Sequence, residues 1–188
     1  GCRVIIPTLI DRSDTFSGVP GIRMTNQPHR EWIYRQAFEM GRHIIGYEVL
    51  IVQAGIDWLT QDNPLPVGLA GYGEGGLIAF YAGALDTRVK ATFVDGYFSK
   101  RETVWQEPIY RNVWGQLKTF GDAEIARLYT DRPLMINQTP TPAVSGPPKP
   151  REGRTGAAPG KLLPLNAATE RIALAATSTG SVEALRVA

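Results

Sequence analysis

The sequence predicts an α/β fold, a mostly parallel sheet flanked by helices. Three observations carry this. Short β-branched runs alternate with segments of helical apolar period, in the order strand, helix, strand, helix, strand, helix, strand. A glycine cluster stands between one of those strands and the helix after it. The chain has 188 residues, 43% hydrophobic and 20% charged, which fits one globular domain.

The elements follow in order. Residues 3–9, Arg-Val-Ile-Ile-Pro-Thr-Leu, read as a short buried strand that Pro7 ends or confines to an edge. Residues 11–28 are mostly polar, carry Gly18, Pro20, Gly21 and Pro28, and read as a long loop. From Glu31 to Leu59 the apolar residues follow helical spacing, as one helix or as two broken near Gly41 or Gly46. Asp62-Asn63-Pro64 stops that run. Pro66 to Ala70 is the next strand, and Leu77 to Leu85 a buried helix that exits through Asp86-Thr87-Arg88. Val89 to Val94 is a strand ending at Asp95-Gly96. An aromatic-rich stretch covers 97–120. Asp122 to Tyr129 is a short helix, and Pro133 to Asn137 the last strand.

Composition shifts after Thr139. Eight of the 14 prolines fall between Pro133 and Pro164. Residues 1–138 are therefore expected to form the α/β domain, 139–165 a Pro/Gly-rich extended arm, and 166–188 a weakly helical C-terminal segment. Within the arm, Pro147-Pro148-Lys149-Pro150 reads as a polyproline ligand or as solvated chain packed on the domain or on a neighbouring copy.

Several function classes drop out. Twenty basic and 18 acidic residues give a net charge of +2, which predicts neither a nucleic-acid nor an anionic-membrane partner. No apolar run approaches the roughly 18–20 residues of a membrane span. One cysteine, Cys2, excludes an internal disulfide framework and a multi-Cys zinc site, and it reads as structural. His29 and His43 lack a carboxylate pair at ligand spacing, so no metal is expected. The chain contains no N-terminal signal sequence of its own, Gly1-Cys2-Arg3 running straight into the first expected strand, and the compartment stays open, since an upstream segment is compatible with this start.

The cluster Gly71-Tyr72-Gly73-Glu74-Gly75-Gly76 fits two motifs. Gly71, Gly73 and Gly76 match the dinucleotide fingerprint G-x-G-x-x-G, with Asp95 ending the following strand as a candidate ribose ligand. This is the NAD(P)-binding Rossmann alternative. Gly71 to Gly75 also matches the nucleophile elbow G-x-S-x-G, except that Gly73 stands at the serine position. Local spacing does not choose between the two.

The wider sequence resembles the α/β-hydrolase family, in its dienelactone-hydrolase and acetyl-xylan-esterase-like members. Gly41-Arg42-His43 through Gln53-Ala54-Gly55-Ile56-Asp57-Trp58-Leu59 is similar to their helix before the elbow. Gly71 to Gly76 is similar to their G-x-S-x-G-G, and Ala84 to Ala91 to the exit from the elbow helix. Asp131-Arg132-Pro133-Leu134-Met135-Ile136 resembles the approach to the strand that often carries the acid. The resemblance covers roughly residues 1–137. It implies ester hydrolysis through an acyl-enzyme in active members, a small ester or carbohydrate-like ligand, and no cofactor.

The chain departs from that pattern in two independent ways. Gly73 offers no nucleophilic oxygen, and both histidines precede the elbow, whereas the family order is Ser, acid, His. Residues 139–188 offer no clear equivalent of the last strand and its histidine loop. The chain is expected to be either a piece of a longer protein or a variant whose sheet stops early, leaving an open edge or the 139–165 arm for self-association. A non-catalytic binding or structural domain is the expected function. The alternative is an unconventional ester hydrolase using Glu74 or Asp95.

The remaining candidates each have two readings. Glu74 is a first-turn acid suited to the helix dipole, or an acid group in the cleft. Asp95 caps a turn with Gly96, or serves as a displaced acid. Arg12 binds an anionic substrate group, or pairs with Asp11 or Asp14 to organise its loop. Gly71, Tyr72, Gly75 and Gly76 are the further binding candidates. Ser13 has no histidine placed to activate it and reads as a turn residue. His29 reads as a surface or cleft histidine, His43 as a satisfied helix-face one, and Trp105, Tyr110 and Trp114 as packing or a substrate wall.

Overall fold

The helical period after Pro28 resolves into two helices. α1 spans His29–Glu39 and α2 spans Ile44–Thr60. Gly41, at φ +66°, supplies the left-handed residue that turns the chain between them. His43 starts α2 as its N-cap: its Nδ1 accepts from the Ile45 N–H at 3.1 Å. These details come from a computed structural model, which describes residues 1–13, 24–26, 28–62, 64–98, 101–140, 154–157 and 185–187.

The strands follow, counting β1 at Met24–Asn26. β2 is Val67–Tyr72, β3 Val89–Asp95, β4 Leu134–Asn137, β5 Arg154–Ala157 and β6 Leu185–Val187. β2, β3, β4 and β6 form a four-stranded sheet in that order, and every pair is parallel. β1 and β5 pair separately, also parallel. α3 (Glu74–Leu85) is the crossover from β2 to β3, and α4 (Asp122–Ala126) lies between β3 and β4. The fold is α/β with a mostly parallel sheet flanked by helices, as the alternation of periods requires.

α3 is the centre of the core. Leu77, Ile78, Phe80, Ala82 and Ala84 are buried on all sides of it, against Val94, Leu134 and Ile136 of the sheet and Ile44, Ile45 and Val49 of α2. A helix apolar all round is stable only inside. Its C-terminus is held by Arg132, whose Nη1 donates to the carbonyls of Gly83 (2.6 Å) and Asp86 (3.0 Å).

The strand expected at 3–9 is absent. Residues 1–13 make no ladder pairing with any described residue, and Val4 and Ile6 are 73% and 86% exposed. β-branched composition favours a strand only where a partner edge is available, and Pro7 removes one donor. The segment is held by side chains instead: the Ile10 N–H donates to Glu48 Oε1 (3.2 Å) and Arg30 Nη1 to the Ile10 carbonyl (2.9 Å). Two other expectations change. The loop 11–28 contains β1, and Leu185–Val187, in the segment read as weakly helical, is a strand beside β4. Asp14, Gly18–Gly21 and Pro147–Pro150 lie outside the described residues. Among the described residues no helix is long and apolar enough to cross a membrane.

Candidate functional site

The parallel register brings the carboxyl ends of the strands level. Tyr72 pairs with Asp95, and Asp95 with Asn137. In open α/β sheets this edge is where ligands bind. Gly73 sits there at φ +58°, ψ −116°, between the end of β2 and the first turn of α3, and its N–H donates to the Asp95 carbonyl at 2.8 Å. That is a sharp strand-to-helix apex of the kind an elbow needs, with hydrogen in place of a side chain.

Close packing accounts for the glycines on either side. A Cβ on Gly71 would lie 2.0 Å from the Gly75 carbonyl oxygen, and one on Gly76 would lie 2.8 Å from the Asp95 carbonyl oxygen. A Cβ on Gly75 would meet nothing within 4 Å. Steric demand thus falls on Gly71 and Gly76 and a positive φ on Gly73, which together are the fingerprint set. The close contacts of Gly71 and Gly76 arise where α3 seats on β2 and β3.

Glu74 opens α3 and is 5% exposed. Three arginines surround it. Arg12 Nη2 donates to Oε2 at 3.0 Å, Arg111 Nε lies 3.5 Å from Oε2, and Arg30 Nη2 lies 3.7 Å from Oε1. The last two are charge contacts rather than hydrogen bonds. Burial works against ionisation of this carboxyl, but the charges of Arg111, Arg30 and Arg12 outweigh it and hold the group below the usual carboxylate range. The network continues on both sides. Arg30 makes a bidentate pair with Glu48, Nη1–Oε1 at 2.5 Å and Nη2–Oε2 at 2.9 Å. Arg111 and Arg101 each donate to Glu107 at 3.1 Å. Tyr110 lies under the Arg30 guanidinium, 4.7 Å from ring centroid to Cζ, and its hydroxyl accepts from Arg12 Nε at 3.3 Å.

Glu74 is therefore an anion locked among cations, a poor nucleophile and a poor base. Asp95 is also occupied: its Oδ1 accepts from Thr139 Oγ1 (2.7 Å) and the Thr139 N–H (3.2 Å). Tyr72 donates to the Pro140 carbonyl at 2.6 Å, which fastens the chain after β4 over the same edge. Arg12 pairs with Glu74, the partner in neither of its sequence readings, because the 1–13 segment runs across the α3 N-terminus.

Ser13 does have a histidine beside it, contrary to expectation. Ser13 Oγ lies 3.4 Å from His29 Nδ1, and Asp11 Oδ1 lies 2.8 Å from that hydroxyl and 2.9 Å from the same ring nitrogen. A catalytic relay divides the imidazole, acid on one nitrogen and hydroxyl on the other. Here all three groups meet at Nδ1, which cannot donate to Asp11 and accept from Ser13 at once. The trio braces the loop, together with the His29 N–H to Ser13 carbonyl bond of 2.8 Å. Its signal, a serine and a histidine 16 residues apart, becomes visible only once that bond is known.

The aromatic wall does not assemble. Tyr110 belongs to the ionic network, Trp105 is exposed, and Trp114 packs edge-on against Phe38 at 5.9 Å. Cys2 is an exposed free thiol. Among the described residues no group of His, Cys, Asp and Glu is arranged to hold a metal ion.

His43 carries a pH prediction. Its Nε2–H donates to the Asn112 carbonyl at 3.0 Å while Nδ1 accepts from Ile45, so the neutral tautomer is the one bound. Burial lowers its pKa below 6.5. The folded state thus takes up the proton less readily than the unfolded chain. Stability from this group is complete above about pH 6.5 and falls as pH drops below it. His43→Asn keeps an N-cap oxygen, and its melting temperature between pH 7 and 5 should fall less than the parent's. Parallel pH profiles would refute the assignment.

Comparison with known proteins returns no match: no family model, no curated protein and no solved structure matches this chain.

Proposed function

We propose that this chain keeps the scaffold of an α/β-hydrolase-type esterase and works without its serine chemistry, as a binding or structural domain. The observation that carries the reading is Gly73. It occupies the apex between β2 and α3 at φ +58°, ψ −116°, with no oxygen to attack an ester. Glu74 and Asp95, the two carboxylates nearest that apex in sequence and register, are committed to arginines and to Thr139. The same commitments weigh against the dinucleotide reading, which needs Asp95 for the ribose. The ligand this reading expects is a small ester or carbohydrate-like molecule at the strand edge. Self-association has a route through the outer side of β2, where no described strand pairs.

The test is a rate and a melting curve on one purified sample. p-Nitrophenyl acetate should be hydrolysed at the buffer background, and NAD or NADP at millimolar concentration should leave the melting temperature unchanged. A ligand at ~100 times its dissociation constant would add about 2.7 kcal/mol and be plainly seen. Ester turnover well above background, abolished by Glu74→Gln or Asp95→Asn, would replace this reading with the unconventional hydrolase. A cofactor shift would restore the Rossmann reading.

A further inference from the structure

Two stretches of backbone in this chain go unpaired among the described residues, and they complement each other. The first is the outer side of β2, where no described strand pairs. Val67–Tyr72 carries no charged residue and no proline, so this edge lacks the devices that keep strands of different molecules apart. The second is the run Val4-Ile5-Ile6, β-branched throughout, which enters no ladder with a described residue. Val4 and Ile6 face solvent, and Ile5 is the least exposed of the three at 38%.

The run does not pair with the β2 of its own chain. It is held along α2 instead: Arg3 lies over the Trp58 ring, 5.7 Å from its centroid, and the Ile10 N–H donates to Glu48. Arg12 then reaches Glu74, two residues beyond the end of β2. The run and β2 therefore point the same way, both towards the head of α3. A second copy turned about a two-fold axis normal to the sheet brings its run to β2 in the opposite direction. Antiparallel pairing is the slightly more stable ladder per residue.

Side-chain size agrees with this. Val67 and Leu69 of β2 share a core cluster with Ile56 and Val52 of α2. Gly68 and Ala70 alternate with them on the other face, and both are exposed. Glycine and alanine leave room beside them for the branched side chains of Val4 and Ile6. The outer stripe of α2 borders the same seam. Leu50, Ala54 and Trp58 recur on it every four residues, all exposed, while Ile45, Val49 and Ile56 bury the opposite side. An apolar stripe on the solvent side of a helix marks a contact surface.

We infer that this chain forms a closed two-fold dimer. The Val4–Ile6 run of each copy pairs antiparallel with the outer edge of the other copy's β2, and the two α2 stripes meet beside the seam. A second copy is the occupant because one chain holds both halves of the joint, the edge and the run. Reciprocal exchange satisfies both at once and leaves no edge to propagate. The inference rests on the self-association route through β2 in the reading above and not on its chemistry, which the ester and cofactor assays decide separately.

The test is sedimentation equilibrium of the full chain, with hydrogen exchange read at low and high concentration. The expected result is a reversible dimer, in which the amides of residues 4–6 and the outward-pointing amides of β2 slow together as the dimer forms. The double variant Val4→Lys, Ile6→Lys changes two exposed side chains, so the melting temperature of the dilute chain should hold. Its dimer dissociation constant should rise by roughly tenfold or more. Leu128→Lys, at an exposed apolar residue away from the seam, should leave dimerisation unchanged. A chain that stays monomeric up to millimolar concentration overturns the proposal. So does a dimer that the double variant leaves intact, or one whose protection misses residues 4–6, since another surface then holds it. Growth past the dimer overturns the closed exchange.

Discussion

Glu74→Gln is expected to lower stability by about 1–3 kcal/mol, the cost of removing a buried anion from a network in which Arg30 keeps Glu48 and Arg111 keeps Glu107. For a chain of this length that is a fall in melting temperature of roughly 2–12 °C. Glutamine keeps the shape of the side chain, so lost packing does not enter. What changes is charge: Arg30 and Arg111, both almost wholly buried, lose the anion between them. Arg12→Ala should cost less, because Arg12 is 37% exposed and Glu74 retains two buried arginines. The acid limb gives the sign independently. The Glu74 carboxyl titrates below 4.5 in the folded state, so its contribution is present above that pH and is lost as pH falls through the folded value. The glutamine variant lacks this component. Thermal melts of parent and variant at pH 7 and pH 4 read both effects. A variant melting within a degree or two of the parent would mean that the network contributes little and that Glu74 is free for other work.

The parts of the fold legible in the sequence are those whose signal is local. β2, α3 and β3 announce themselves because a strand, a glycine turn and a helix apolar on every side follow one another without interruption. The turn at Gly41 is equally local, a left-handed residue between two helical periods. The run Val4–Ile6 carries a strand's composition and still forms none, because pairing depends on a distant edge. The site divides along the same line. The apex glycine and the first-turn acid can be read from six residues. The partners cannot: Arg12 meets Glu74 across 62 residues, and nothing near Arg30 or Arg111 marks them as buried. One clue was present. An acid at the head of a helix apolar on every side is placed for burial, and a buried carboxylate needs cations. Partner identity, and the meeting of Ser13 with His29, depend on the path of the chain between them.

The glycine cluster separates in experiment what its spacing leaves merged. Gly71→Ala should destabilise by the upper part of the roughly 1–3 kcal/mol typical of overpacking, or by more. Its methyl would stand 2.0 Å from the Gly75 carbonyl oxygen, a backbone atom that no rotamer change can move aside. Relief requires lifting the first turn of α3 off β2, which loosens the contacts of Leu77 and Ile78 behind it. Gly75→Ala, four residues on in the same motif, should be neutral or stabilising by up to about 1 kcal/mol, since the space beside it is open and alanine favours the helix. Gly73→Ala should fall between them, at about 1–3 kcal/mol, the cost of backbone strain at φ +58°. Urea unfolding of the three variants gives the order directly. The order 71, then 73, then 75 means that the cluster is built for the seating of α3 on the sheet. Equal losses at Gly71 and Gly75 would mean that the turn is shaped differently from the one described. The consequence for function is specific. Once backbone approach accounts for Gly71 and Gly76 and positive φ for Gly73, the G-x-G-x-x-G spacing has an explanation in the fold that needs no phosphate, and the burden of a serine-type reading rests on an oxygen that Gly73 does not have.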